Sequence, residues 1–340
     1  MNLANEIIRL ATLKKRITTA EIAEKYKVSR QYAHMIIRKL TDEKKLLKIG
    51  STRSAIYILP GYIDLISNTV KKRLRNKGLE EHKVLADLEE ESSVLHRTSD
   101  DLKSIYQYTF SEMLNNAIEH SKSANIEVDI GERNGDLIFH VNDFGIGVFR
   151  NVMQKRKLNS ELEAIQDLLK GKTTTQPQSH SGEGIFFTSK TADIFILESF
   201  GYSLTIENRA QDIFVEEIKS KSKGTKVTFI ISMKSKKHLN DVFRKYQTDP
   251  EALTFDKTEI QIRLYTMGTI HISRSQARRV MTGLEKFNII TLDFDKVPTV
   301  GQAFCDEIFR VFRNKHPNIQ IIPINMNGAV NFMVKRAIVT

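Results

Sequence analysis

The sequence predicts an α/β fold of several domains, and three observations predict it. Residues 1–60 hold three short amphipathic stretches and then an alternating hairpin. Between 112 and 190 stand three Asn- or Gly-bearing motifs, followed by four runs of strand character. From 234 onward strand-like and helix-like stretches alternate, the pattern of a layered α/β domain. With 340 residues, 40% hydrophobic and 27% charged, the composition is that of a folded chain with two or three cores. The single cysteine, Cys305, excludes an intramolecular disulfide framework and a cysteine-based zinc site. No run of about 18 apolar residues predicts a membrane helix. Met1 to Arg16 is charged and lacks the apolar core of a signal peptide. The expectation is a cytoplasmic protein without a membrane partner.

Residues 3–14 form the first predicted helix, with Ile7, Ile8, Leu10 and Ala11 on one face. Thr18-Thr19 opens a second, Ala20 to Tyr26, and Glu21 or Glu24 completes its cap. After the Lys27-Val28 turn, Ser29 caps a third helix over 30–44, with Ala33, Ile36, Ile37 and Leu40 on its apolar side. Leu46 to Leu59 then reads as a hairpin about a Gly50-Ser51-Thr52 turn. This order resembles the winged helix-turn-helix domains of bacterial regulators. Thr19-Ala20-Glu21-Ile22-Ala23 and Val28-Ser29-Arg30-Gln31-Tyr32 fit that family's pattern. The resemblance implies DNA as partner, with the third helix in the major groove. Ser29, Arg30, Gln31, Tyr32 and His34 would then face base edges, and Lys48 and Arg53 of the hairpin would meet phosphates. Charge points the same way. Residues 1–77 hold 18 Lys or Arg against 6 Asp or Glu, whereas the rest is balanced at 34 against 35. A basic block of this kind suits a polyanion. The alternative is a winged helix that binds protein.

Residues 61–95 are expected to be a helical connector of two stretches, separated near Asn76-Lys77-Gly78. The second, Leu79 to Val94, carries Val84, Leu85 and Leu88 and reads as a dimer helix, giving a homodimer, or as a solvated linker.

The next helix, Asp101 to Ser121, contains Glu112-Met113-Leu114-Asn115-Asn116-Ala117-Ile118-Glu119-His120. Spacings of four and three put Glu112, Asn116 and Glu119 on one face, opposite Met113, Leu114, Ala117 and Ile118. Asp143-Phe144-Gly145-Ile146-Gly147 follows the strand Asp136 to Asn142. Gly182-Glu183-Gly184 then opens a helix, and helix N-termini suit phosphate. Strands at 194–198, 204–208, 213–219 and 226–231 complete the set.

Over 96–233 this ordered set resembles the GHKL ATPase superfamily, which includes the DNA gyrase ATPases, sensor histidine kinases and anti-sigma factor serine kinases. The resemblance implies the GHKL (Bergerat) α/β sandwich: a mixed sheet with helices on one face and ATP under a lid. It implies that Asn116 holds Mg²⁺ at the phosphates, that Glu112 is the general base, and that Asp143 binds the adenine amino group. Gly145, Gly147, Gly182 and Gly184 would border the nucleotide and lid, and Thr225 of Gly224-Thr225 would reach adenine through water. One Asn is an adequate protein ligand for Mg²⁺ bound to phosphates. Glu183 and Phe186-Phe187 depart from the family pattern, and this bears on turnover more than on binding. The lid, 148–181, carries Lys155, Arg156, Lys157, Lys170 and Lys172, of which Lys172 can meet the γ-phosphate, and its Ser179 to Ser181 end suits a flexible gate. Gly171-Lys172-Thr173 is not a P-loop, because Gln166 stands where that motif needs a glycine. No phosphoacceptor histidine box surrounds His82 or His96.

Residues 234–340 resemble the STAS-like domains often joined to GHKL ATPases, with Ile272-Ser273-Arg274-Ser275-Gln276-Ala277 and Leu292-Asp293-Phe294 carrying the likeness. This implies a protein partner. The position of the phosphorylated serine of anti-sigma factor antagonists is filled here by Pro298-Thr299-Val300-Gly301-Gln302, without a serine. Together these readings describe an ATP-binding regulatory protein with slow hydrolysis coupled to DNA binding, a regulator of transcription. The alternatives are a serine/threonine protein kinase of the anti-sigma type acting on a STAS partner, or ATP as a purely structural ligand.

Overall fold

The computed structural model describes residues 3–49, 55–65, 69–172, 182–219, 223–249, 251, 254–265 and 273–339. They fall into two compact units, Met1–Ile146 with Ala192–Lys236, and Gly147–Thr191 with Lys237–Thr340. Both observed units are discontinuous.

The first unit opens with α1 (Leu3–Lys14), α2 (Thr19–Lys25) and α3 (Arg30–Asp42), then β1 (Leu47–Ile49) and β2 (Ile56–Ile58). Thr18 and Glu21 cap α2 reciprocally: Glu21 N–H donates to Thr18 Oγ1 at 3.2 Å, and Thr18 N–H donates to Glu21 Oε2 at 2.9 Å. Ser29 Oγ accepts from Tyr32 N–H at 3.1 Å and starts α3. Helical spacing gathers Ile7, Leu10, Ala11, Ala33, Ile37 and Leu40 into one core with Ile17, Ile22 and Leu46. β1 and β2 pair antiparallel, and Ile17 bridges Tyr57 of β2. The expected Gly50-Ser51-Thr52 turn lies outside the described residues.

Two expectations are corrected in the part that follows. The stretch before Asn76, expected to be helical, is strand β3 (Thr69–Arg75), antiparallel to β4 (Asn125–Arg133). Its Lys and Arg residues favour helix moderately, but Val70, Lys72 and Leu74 are half-buried while Thr69, Lys71, Arg73 and Arg75 are exposed. That period of two is satisfied at a sheet edge. The second correction is strand direction. With β5 (Asp136–Asp143), β6 (Ile194–Ser199), β7 (Tyr202–Glu207), β8 (Asp212–Glu217) and β9 (Thr225–Ser232), the sheet runs β3-β4-β5-β9-β6-β7-β8. Every neighbouring pair is antiparallel, where the resemblance implied a mixed sheet.

Between β3 and β4 the chain forms α4 (Glu81–Glu91) and α5 (Asp100–His120). Ser99 caps α5, whose Leu102, Ile105, Tyr106, Phe110, Met113, Leu114 and Ala117 are buried. Tyr106 and Phe110 meet the Phe139 ring edge-on at 5.9 and 5.4 Å, and Phe139 stacks on Phe229 of β9 at 4.8 Å. The last turn of α4 carries three consecutive glutamates, placed where the helix dipole disfavours acids. Each finds a cation or donor on a different element. Glu89 accepts from Gln107 of α5 at 2.6 Å, Glu90 pairs with Lys48 of β1, and Glu91 pairs with Lys72 of β3 at 3.1 Å. Helix α4 is thus a docked element of its own unit and not a solvated linker.

The second unit holds α6 (Val148–Arg156), α7 (Glu161–Lys170), α8 (Gly184–Thr191) and α9 (Leu239–Lys245). The parallel strands β10 (Lys257–Gln261), β11 (Ile289–Asp293) and β12 (Gln320–Ile324) run in chain order. They alternate with α10 (Arg274–Met281), α11 (Gln302–Asp306), a wider helical stretch Glu307–Phe312, α12 (Arg313–Lys315) and α13 (Gly328–Val339). The segment read as a lid takes its core partners from the C-terminal residues. Gln166 Nε2 donates to Leu264 O at 2.8 Å, Tyr265 Oη to Gln166 O at 2.7 Å, and Thr258 Oγ1 to Lys170 O at 2.7 Å. Lys170 is buried and donates to Arg279 O and Thr282 O at 2.9 and 2.7 Å, and burial holds its ammonium down at about 8. Phe186 and Phe187 of α8 pack on Phe255 at 4.6 and 4.9 Å. The expected Ser179 to Ser181 gate lies outside the described residues. Cys305 is fully buried, and burial pushes its thiol up to about 12.

Candidate functional site

The nucleotide-site residues predicted in the first unit are Glu112, Asn116, Asp143, Gly145 and Thr225. Glu112 and Asn116 are half-buried and one turn apart on α5, while Met113, Leu114 and Ala117 face the core. The apolar side of the helix is fixed by packing on the sheet, so its polar side presents both groups together.

Asp143 ends β5 with an alternation that buries Leu137, Phe139, Val141 and then Asp143 itself, which is 4% exposed. A buried carboxylate needs donors. Gly145 N–H donates to Asp143 Oδ1 at 2.9 Å, and the backbone and hydroxyl of Thr225, at the start of β9, also bond to it. Burial nevertheless pushes the carboxyl above its ordinary range, with these bonds acting the other way. Gly224 lets β9 approach this closely. Its φ is +87°, and a Cβ there would lie 2.0 Å from Asp143 O. At Gly145 a Cβ would lie 1.8 Å from Ser121 O. Both glycines are therefore required by close backbone approach. Ser199 Oγ donates to Gly224 O at 2.9 Å and holds the other side of that turn.

Gly147, Lys172, Gly182 and Gly184 belong to the second unit. Gly147 precedes α6 with φ 79°, and Gly184 begins α8. The Lys172 ammonium lies 5.5 and 5.1 Å from the Phe255 and Phe287 rings and donates to Lys286 O at 3.4 Å. Residues 173–181 lie outside the described part of the chain.

Of the residues predicted to meet DNA, Arg30, Gln31, Tyr32 and His34 are exposed on the first turns of α3. Ser29 is exposed and its hydroxyl caps the helix. Lys48 is half-buried on β1 with its ammonium paired to Glu90, and Arg53 lies outside the described residues. Among the described residues no helix is long and apolar enough to cross a membrane, and no group of three or more His, Cys, Asp or Glu is placed to hold a metal ion.

Sequence reasoning passes over Ser121 and Ser123, whose hydrogen bonds link Ala117 of α5 to Phe144 after β5. It also passes over Asn76, whose Nδ2 donates to Ile118 O at 3.1 Å and Ser123 O at 2.9 Å. A signal is present for the serines: two small hydroxyls directly after a helix, spaced to cap and turn.

Residues 101–235 match the family model of the histidine kinase-, DNA gyrase B- and HSP90-like ATPases, and residues 276–331 match that of a STAS-like domain of unknown function. Curated proteins give no match to this chain. The chain therefore carries a GHKL-type ATPase domain, with which ATP binding and a regulatory role go, and a C-terminal STAS-like domain.

Proposed function

We propose that the protein is a cytoplasmic, ATP-dependent DNA-binding regulator. Its α5–β5–β9 region binds Mg·ATP and turns it over slowly, and a winged helix built from α1–α3 and the β1–β2 hairpin binds DNA. The observation that carries the ATP part is Asp143: a buried carboxylate held by Gly145 and Thr225 over two glycines that tolerate no side chain. Such a group recognises an amino donor, which adenine supplies at the position where guanine carries a carbonyl. Asn116 offers a hard carboxamide oxygen on the same helical face as Glu112, which fits one protein ligand to Mg²⁺. The metal, when bound, offsets phosphate charge. Glu112 then accepts the proton of the attacking water. Gly147, Gly182 and Gly184 enter this reading by resemblance alone. Lys172 has the least support, because its ammonium is engaged by two rings and a carbonyl.

For DNA, the support is the exposed row Arg30, Gln31, Tyr32 and His34 on a capped helix, together with the basic excess of 1–77. Coupling is supported by α4, whose glutamates contact both α5 and the hairpin. A change in α5 on binding ATP would reach Lys48 by that route. The STAS-like domain offers a surface to a protein partner. ATP turnover, with Glu112→Ala and Asn116→Ala as controls, tests the enzyme. Both substitutions should abolish phosphate release, and label transferred from ATP to protein would replace hydrolysis by a kinase reading. DNA affinity measured with and without ATP tests the coupling, and equal values defeat it.

A further inference from the structure

The loop after Asp143 is tied to the end of α5 at both of its ends. Phe144 leaves the sheet, and its N–H donates to Ser123 Oγ at 3.1 Å, while the Ser123 hydroxyl donates to Asn125 O at 2.6 Å. Ser123 N–H donates to Ser121 Oγ at 2.9 Å, and the Ser121 hydroxyl donates to Ala117 O at 2.5 Å, back in the last turn of α5. Ile146 N–H donates to Ser121 O at 2.8 Å, and the same carbonyl is what a side chain at Gly145 would strike. Both serines are buried, at 4% and 7% exposure. Lys122 between them takes a left-handed conformation, φ 57°. Every donor in this path has an acceptor, so it has one low-energy arrangement.

We propose that Ser121 and Ser123 are positioning residues of the nucleotide site: their bracket sets Asp143, the adenine end, relative to Asn116, the phosphate end. This rests on the ATP-binding reading above. Asn116 lies in the interior of α5 and keeps its place when a serine beyond the helix is changed. Asp143 is one residue from Phe144 and does not. The bracket therefore acts on the base and not on the phosphates.

The test is calorimetric titration of full-length Ser123→Ala and wild type with Mg·ATP, Mg·GTP and Mg·tripolyphosphate, with thermal unfolding followed in parallel. Ser123→Ala should weaken ATP about tenfold, the size of one lost hydrogen bond to a buried N–H, and leave tripolyphosphate within about twofold. The preference for ATP over GTP should fall by the same factor. Ser121→Ala, one bond further away, should give a smaller loss of the same kind and serves if Ser123→Ala does not fold. Unchanged ATP affinity, or equal loss of ATP and tripolyphosphate, overturns the bracket while the ATP reading stands. A wild type that binds no ATP overturns that reading and the bracket with it.

Discussion

The segments on either side of Ile146 carry the same kind of signature, glycines beside a strand or a helix, yet they are built in opposite ways. Before it, Asp143-Phe144-Gly145 is fixed by bonds from its own sheet and from the end of α5. After it, Gly147–Thr191 finds its core among residues of Lys237–Thr340, through Gln166, Lys170, Phe186 and Phe187. The stretch that one family model matches, 101–235, thus draws residues from both of these cores. What assigns a segment to a body is where its buried groups find partners, and glycine spacing carries no record of that.

The largest effect should come from breaking the second of these cores. Phe255 is 4% exposed and touches Phe186, Phe187, Tyr246 and Phe287. Phe255→Ala should cost about 3–5 kcal/mol by the lost contacts and the cavity left. Hydrogen exchange is the sharper readout. Amides of α7 and α8 should lose protection together with β10, while α5 and β5 keep theirs. Protection unchanged in α7 and α8 would mean that this segment is stable without the C-terminal core.

On the other side of the comparison, Gly145→Ala should destabilise the first unit by about 3 kcal/mol, because the new methyl would have to displace the Ser121 carbonyl. Mg·ATP binding should be lost with it, and exchange in α7 and α8 should be unaffected. Calorimetry and hydrogen exchange on one sample read both. A variant that binds ATP as wild type does would show that the loop has room to move.

These two cores also differ in how far they are legible in the sequence. Helix α5 reads with Glu112 and Asn116 on one face, because Met113, Leu114 and Ala117 mark the other and the pattern is local. β3 reads as helix because one of its three inward residues is Lys72, whose charge breaks the alternation. Its inward side is explained by Asp87 and Glu91, which only the fold brings near. The attachment of α7 is hidden for the same reason. Gln166, Asp167 and Lys170 have the composition of a solvated face, and all three are buried. Their partners are mainly backbone carbonyls and Arg156, and carbonyls leave no trace in a sequence.

Asp143 gives a pH test of the first side. Burial raises its pKa in the folded state, so the folded chain binds this proton more tightly than the unfolded chain. Between the ordinary aspartate value and the raised one, stability should fall as pH rises. Nucleotide affinity should move the opposite way if the carboxylate accepts from the adenine amino group as proposed, and should weaken as pH falls through the raised value. Asp143→Asn should flatten both slopes. Unfolding and ATP titrations across the acid range read them, and parallel slopes of one sign would remove Asp143 from base recognition.

The smallest effect tests whether the first unit transmits anything to its N-terminal helices. Lys48 and Glu90 are paired, with side chains 34% and 44% exposed, so water screens much of the attraction. A double-mutant cycle with Lys48→Met and Glu90→Gln should give a coupling of about 0.5 kcal/mol, smaller at high salt. Its value lies in DNA binding rather than stability. The same ammonium cannot serve Glu90 and a phosphate fully at once. Glu90→Gln should therefore raise DNA affinity, lessen its dependence on ATP, and do neither when Lys48 is already Met. If Glu90→Gln leaves DNA affinity unchanged in a protein that binds DNA, the hairpin is not held back by α4. Any influence of ATP on DNA must then travel by a route other than this pair.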